Sequence, residues 1–134
     1  MRELRFIKLW LSLGYALVAF IIFISLMPSP PAFSGFPGID TLEHLLAYTI
    51  IMLWFGFIYL PGSAYRNLGL SLIMVGLILE IIQGESGYRT LEYFDMLANT
   101  LGVLFGRLLS KTSLSSVLVH VEGRMYIRSK NKKN

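Results

Sequence analysis

The sequence contains no cysteine, which excludes a disulfide framework, a thiolate nucleophile and any Cys-ligated metal. Charge is scarce as well: 15% of residues are charged against 54% hydrophobic, and the mean hydropathy is +0.62. Soluble domains carry about a quarter charged residues, so this is not the composition of a soluble or disordered protein. The 134 residues hold one domain at most and leave no room for a transporter built from repeated halves within one chain. There is no internal repeat, and no low-complexity tract apart from the basic C-terminal end. A net charge of +4 in a soluble chain would suggest nucleic acid. Its distribution here points to a membrane surface and to no nucleic-acid partner.

What the sequence does have is long apolar runs. No charged residue falls between Leu9 and Ile39, and Leu9 to Met27 gives nineteen mostly apolar positions, about enough to cross a hydrocarbon core of roughly 30 Å. The competing reading is a secretory signal peptide cut near Ala32-Phe33-Ser34, but the apolar core exceeds the usual signal length. Pro28, Pro30, Pro31, Gly35, Pro37 and Gly38 then break the helix, and Asp40 or Thr41 is expected to cap the next one. A second helix is predicted from about Thr41 to Leu60, ended by Pro61-Gly62. Shorter helices follow over about Asn67 to Gln83 and Tyr93 to Leu109. The expected fold is therefore all-α, a polytopic bundle of four transmembrane helices. Residues 1–112 form the membrane domain and 113–134 a basic cytoplasmic tail. Weak alternation over Val117 to Val121 and Arg124 to Arg128, around Glu122-Gly123, suggests a small hairpin in that tail, with its basic end resting on anionic lipid.

Four spans put eleven of the twelve bases on one side and leave Arg89 alone on the other. The positive-inside rule then makes both termini and the Arg66 loop cytoplasmic. Polar residues within the helices gather at the opposite, outer end. Asp40, His44 and Tyr48 follow at i, i+4, i+8; Glu80 and Gln83 at i, i+3; Asp95, Asn99, Gly102 and Gly106 at +4, +7 and +11. Ionisable groups in membrane spans are costly and usually face a bundle interior or a wet cavity. Gly102-x-x-x-Gly106 offers a face for close helix approach. The expected result is a tight bundle with an outward polar pocket, in which Arg89 pairs with Glu80 or Asp95.

Asp40-x-x-x-His44-x-x-x-Tyr48, Glu80-x-x-Gln83, Arg89 and Asp95-x-x-x-Asn99-x-x-Gly102-x-x-x-Gly106, in that order, resemble the signature of the VanZ-like family of membrane proteins. The resemblance covers about Asp40 to Gly106. It departs at Thr41, where many members carry Lys, and Glu43 adds an acid nearby. The resemblance implies a multi-pass protein of the cell envelope, with a role in susceptibility to the glycopeptide antibiotic teicoplanin and no established reaction.

Three functional readings stay open on the residues alone. An enzyme would use His44 as general base with Asp40, Glu80 and Asp95 as catalytic partners. Arg89, Gln83, Asn99 and Tyr48 would then bind a lipid-linked or glycopeptide ligand at the outer face, with Ser86 and Thr90 as nearby hydroxyls. A divalent metal could be held by Asp40, His44, Glu80 and Asp95, although their spacing matches no recognised metal motif. In the third reading the same groups satisfy one another and set helix register in an interaction protein; Tyr48 and Gln83 suit that role best. Six acids against Arg89 make the outer side acidic, which favours a cation over a phosphate-bearing lipid.

Overall fold

A computed structural model describes residues 1–28, 38–87 and 91–131. It is all-helical: α1 (Ile7–Ser25), α2 (Ile39–Ile58), α3 (Ser63–Glu85), α4 (Tyr93–Leu109), a short 3-10 turn (Ser113–Ser116) and α5 (Val117–Asn131). The first three are long and apolar enough to cross a membrane. At 17 residues, α4 is about 26 Å long.

The surface is inverted relative to a soluble domain. Large apolar side chains such as Phe20, Phe23, Ile50, Leu70, Met74 and Leu108 stand about half exposed or more, while Glu80, Gln83, Asp95 and Asn99 are buried. An apolar girdle around a polar interior is what a bilayer solvent selects, because lipid tails accept hydrocarbon and cannot satisfy polar groups.

Helix boundaries follow local chemistry. Helix α2 starts behind Gly38, whose φ of 81° is a left-handed conformation that favours glycine. Neither Asp40 nor Thr41 makes the cap: Asp40 sits inside the first turn and no side chain caps this end. Helix α2 ends at Ile58, and Tyr59 is extended (ψ 139°); Leu60 follows immediately before Pro61, a position that proline keeps out of helical geometry. Helix α3 begins four residues ahead of the expected Asn67. Its polar first turn interrupts the hydropathy run but not the helix, and Tyr65 from that turn donates a buried hydrogen bond to the Met52 carbonyl (2.9 Å).

The most extensive packing joins α2 to α4, which run parallel although α3 separates them in sequence. A Cβ on Gly102 would lie 2.6 Å from the Leu45 carbonyl oxygen, and one on Gly106 2.5 Å from that of Thr49. Only glycine admits this approach. Helix α3 lies antiparallel against both, with Leu72 in the core. Helix α1 crosses α2 where Trp54 Nε1 donates to the Trp10 carbonyl (3.1 Å), and the Gln83 amide closes its far end by donating to the Ser25 carbonyl (2.6 Å).

The tail is a helix, not a hairpin, and no strand occurs among the described residues. Five alternating residues with no strong turn signal and no partner strand cannot hold an isolated hairpin. Helical spacing instead puts Leu118 and Glu122 on one face. Leu118 is buried in the core, and Glu122 accepts from the Arg5 amide (2.7 Å), the Phe6 amide (2.9 Å) and Trp10 Nε1 (2.7 Å). Its carboxylate thus ties α5 to the entry of α1, where unsatisfied amides and the helix dipole favour negative charge. The Arg2 amide donates to the Ile58 carbonyl (2.8 Å), so the N-terminal segment, the end of α2 and α5 share one end of the bundle.

Candidate functional site

At the opposite end, the starts of α2 and α4 meet the last turns of α3. The contact face of α2 on α4 is Thr41, Leu45, Tyr48, Thr49 and Met52, a repeat of four, three, one and three. His44 lies at i+3 from Thr41, beside that face. The straight stripe of Asp40, His44 and Tyr48 drifts around the helix by about 40° every four residues, which carries Asp40 away from the seam.

Three groups converge here. One ligand atom from each of His44, Glu80 and Asp95 falls within 4.8 Å of the others. Asp95 is 2% exposed, Glu80 2% and Asn99 1%, and the His44 side chain is 13% exposed. The cluster is therefore closed except at the histidine.

Each member is oriented by a neighbour. Thr41 Oγ1 donates to Asp95 Oδ1 (2.6 Å). His44 Nδ1 lies 3.0 Å from Asn99 Oδ1; with that oxygen as acceptor, the ring carries its proton on Nδ1. The Glu92 amide donates to Glu80 Oε1 (2.9 Å), so the chain entering α4 fixes the α3 carboxylate. His44 Nε2 and Asp95 Oδ2 then face one another at 3.8 Å, too far for a direct hydrogen bond.

The sequence-predicted residues divide accordingly. His44, Glu80, Asp95 and Asn99 come together. Asp40, half-buried at the start of α2, engages other partners and is absent from the converging group. Gln83 is buried and spends its amide on Ser25, tying helices together rather than facing the cluster. Tyr48 is buried at the α2–α4 seam, and its hydroxyl would lie 2.9 Å from a Cβ on Gly76. The Ser86 hydroxyl donates to the Gln83 carbonyl (2.6 Å). Arg89 and Thr90 lie outside the described residues, so the expected pairing of Arg89 with an acid does too. His120 is exposed on α5, with Nδ1 2.8 Å from the Ser116 carbonyl oxygen.

Two contributors escaped the sequence reading. Thr41 was read as a helix cap and for the Lys it replaces, not as a site residue; the signal was the pairing of an i, i+3 face (Thr41, His44) with an i, i+4 face (Asp95, Asn99). The Glu92 backbone amide carries no side-chain signal at all. No family model, curated protein or solved structure matches the chain.

Proposed function

We propose that the chain crosses the membrane four times with both ends in the cytoplasm, and that its histidine–carboxylate cluster faces the outer leaflet and carries the function. That function is a cell-envelope role of the kind the VanZ-like resemblance implies, altering how the surface meets glycopeptides such as teicoplanin. The observation supporting it is the cluster itself. Two carboxylates and an imidazole are buried together at the bundle end away from the basic termini, where a group needed only for packing would more cheaply be apolar.

A second reading is a lipid-head-group enzyme. It is favoured by His44, whose Nδ1 is fixed by Asn99 while Nε2 is turned to the cluster, as a positioned general base requires. In that case Arg89 would hold the anionic part of the head group.

Two measurements test the proposal. Because the chain has no cysteine, single introduced thiols report sidedness cleanly: Ser34→Cys and Glu85→Cys should react with an impermeant maleimide from outside, and Ser63→Cys and Ser129→Cys only after the membrane is opened. A Glu85→Cys protein labelled only from within would end the topology. In cells, His44→Gln and Asp95→Asn should reach normal membrane abundance and lose the wild-type change in teicoplanin susceptibility. Retention of that phenotype by both would leave an interaction protein.

A further inference from the structure

We propose that His44, Glu80 and Asp95 bind one divalent transition-metal ion of the zinc type. This rests on the cluster being the functional site and deepens that reading by naming its ligand. The donor set is one imidazole nitrogen and two carboxylates, with no thiolate, a set that suits zinc. Magnesium fits poorly, since it prefers oxygen ligands and retains much of its water.

Orientation is the first argument. A metal-binding histidine usually donates its remote N–H to an oxygen that fixes ring and tautomer, and ligating carboxylates are held in turn. Here Asn99 takes His44 Nδ1, Thr41 takes Asp95 Oδ1 and the Glu92 amide takes Glu80 Oε1. Those contacts leave His44 Nε2 turned to Asp95 Oδ2, with one ligand atom of Glu80 within reach of both residues.

Distance is the second. Ligand atoms about 2.0–2.2 Å from a tetrahedral ion lie roughly 3.3–3.6 Å apart. His44 Nε2 and Asp95 Oδ2 stand 3.8 Å apart, and all three groups converge within 4.8 Å, so closing on an ion asks for shifts of about an ångström or less. Asp95 is 2% exposed, and its Oδ2 faces His44 Nε2. Charge is the third: carboxylates gathered inside a low-dielectric bundle favour a cation beside them. Three protein ligands leave a fourth position open, on the side where His44 reaches solvent, for water or an outer-leaflet ligand.

The test uses the full chain purified in detergent, stripped with a chelator and titrated with Zn²⁺ alone against a chromophoric competitor. The expected result is about one zinc per chain, with affinity about 100-fold weaker in His44→Gln, Glu80→Gln and Asp95→Asn and about 10- to 100-fold weaker in Thr41→Val and Asn99→Leu. His120→Gln should match wild type within about twofold. If a ligand variant fails to fold, the wild type still decides: X-ray absorption must find only nitrogen and oxygen neighbours, including imidazole, at about 2.0–2.2 Å. Absence of stoichiometric zinc, or zinc lost only with His120, overturns the inference. Zinc binding abolished by His44→Gln in a protein whose phenotype survives the same change would instead overturn the proposed function and leave the metal site standing.

Discussion

The two ends of the bundle hold their carboxylates in opposite ways. At one end Glu80 and Asp95 are buried, Asp95 held by the Thr41 hydroxyl of another helix and Glu80 by the Glu92 amide at the entry to α4. At the other, Glu122 sits on an exposed helix and is fixed by two backbone amides and an indole. A buried carboxylate clustered with other ionisable groups depends on its charge and shape. One that accepts from helix-entry amides depends mainly on being an acceptor, and solvent screens its charge. The same chemical group is thus committed to a site at one end and to a fastening at the other.

The largest effect should come from the seam that brings the first end together. Gly106→Leu places a side chain where the Thr49 carbonyl stands 2.5 Å from the Cβ position, and neither backbone can yield without separating α2 from α4. Little or no folded protein should survive, as read by size-exclusion of a detergent extract. A well-folded Gly106→Leu protein would mean that the seam does not hold the cluster. Next comes Asp95→Ala, which strips Thr41 and His44 of a buried partner; a loss of about 3 kcal/mol is expected, measured by unfolding in mixed micelles. Glu122→Ala removes the acceptor of three hydrogen bonds at a half-buried position and should cost about 1 kcal/mol, with faster hydrogen exchange at the Arg5 and Phe6 amides. The smallest effect belongs to His120→Gln, which should leave stability unchanged within about 0.5 kcal/mol.

Acid sharpens the same comparison. Desolvation pushes the Glu122 carboxyl up, but the Phe6 amide, the Trp10 indole and the Arg5 amide and charge together outweigh it and hold the group below its ordinary 4.5. A depressed folded value means that the fastening contributes in full above the unfolded value and is lost as pH falls through the folded one. Trp10 fluorescence should therefore change below pH 4.5, and the change should disappear in Glu122→Gln. A Trp10 signal that titrates identically in that variant would mean the carboxylate is not what holds α5 to α1.

Much of the architecture was legible because the forces behind it act locally. Apolar runs and the Pro61-Gly62 break placed α1 to α4 within a few residues, and Gly102 and Gly106 announced a close approach without naming its partner. The gathering of His44, Glu80, Asp95 and Asn99 followed from counting helical turns. What stayed hidden was tertiary. That α4 docks parallel on α2 decides that Thr41, not Asp40, faces Asp95, and no periodicity in either helix alone contains that choice. The tail misled for a related reason: its brief alternation was genuine, but Leu118 and Glu122 found partners on other helices that a hairpin could not reach.

The parallel seam also has a consequence for biosynthesis. Thr41 and Asp95 are separated by 54 positions and His44 and Asn99 by 55, so on the proposed topology His44 enters the bilayer well before its partners exist. At about 5–20 residues per second, the wait is roughly 3–10 seconds. During that interval the half-built bundle carries polar groups that only the last helix can quench. Truncation between α3 and α4 should consequently leave a product that the cell's membrane quality control recognises and removes.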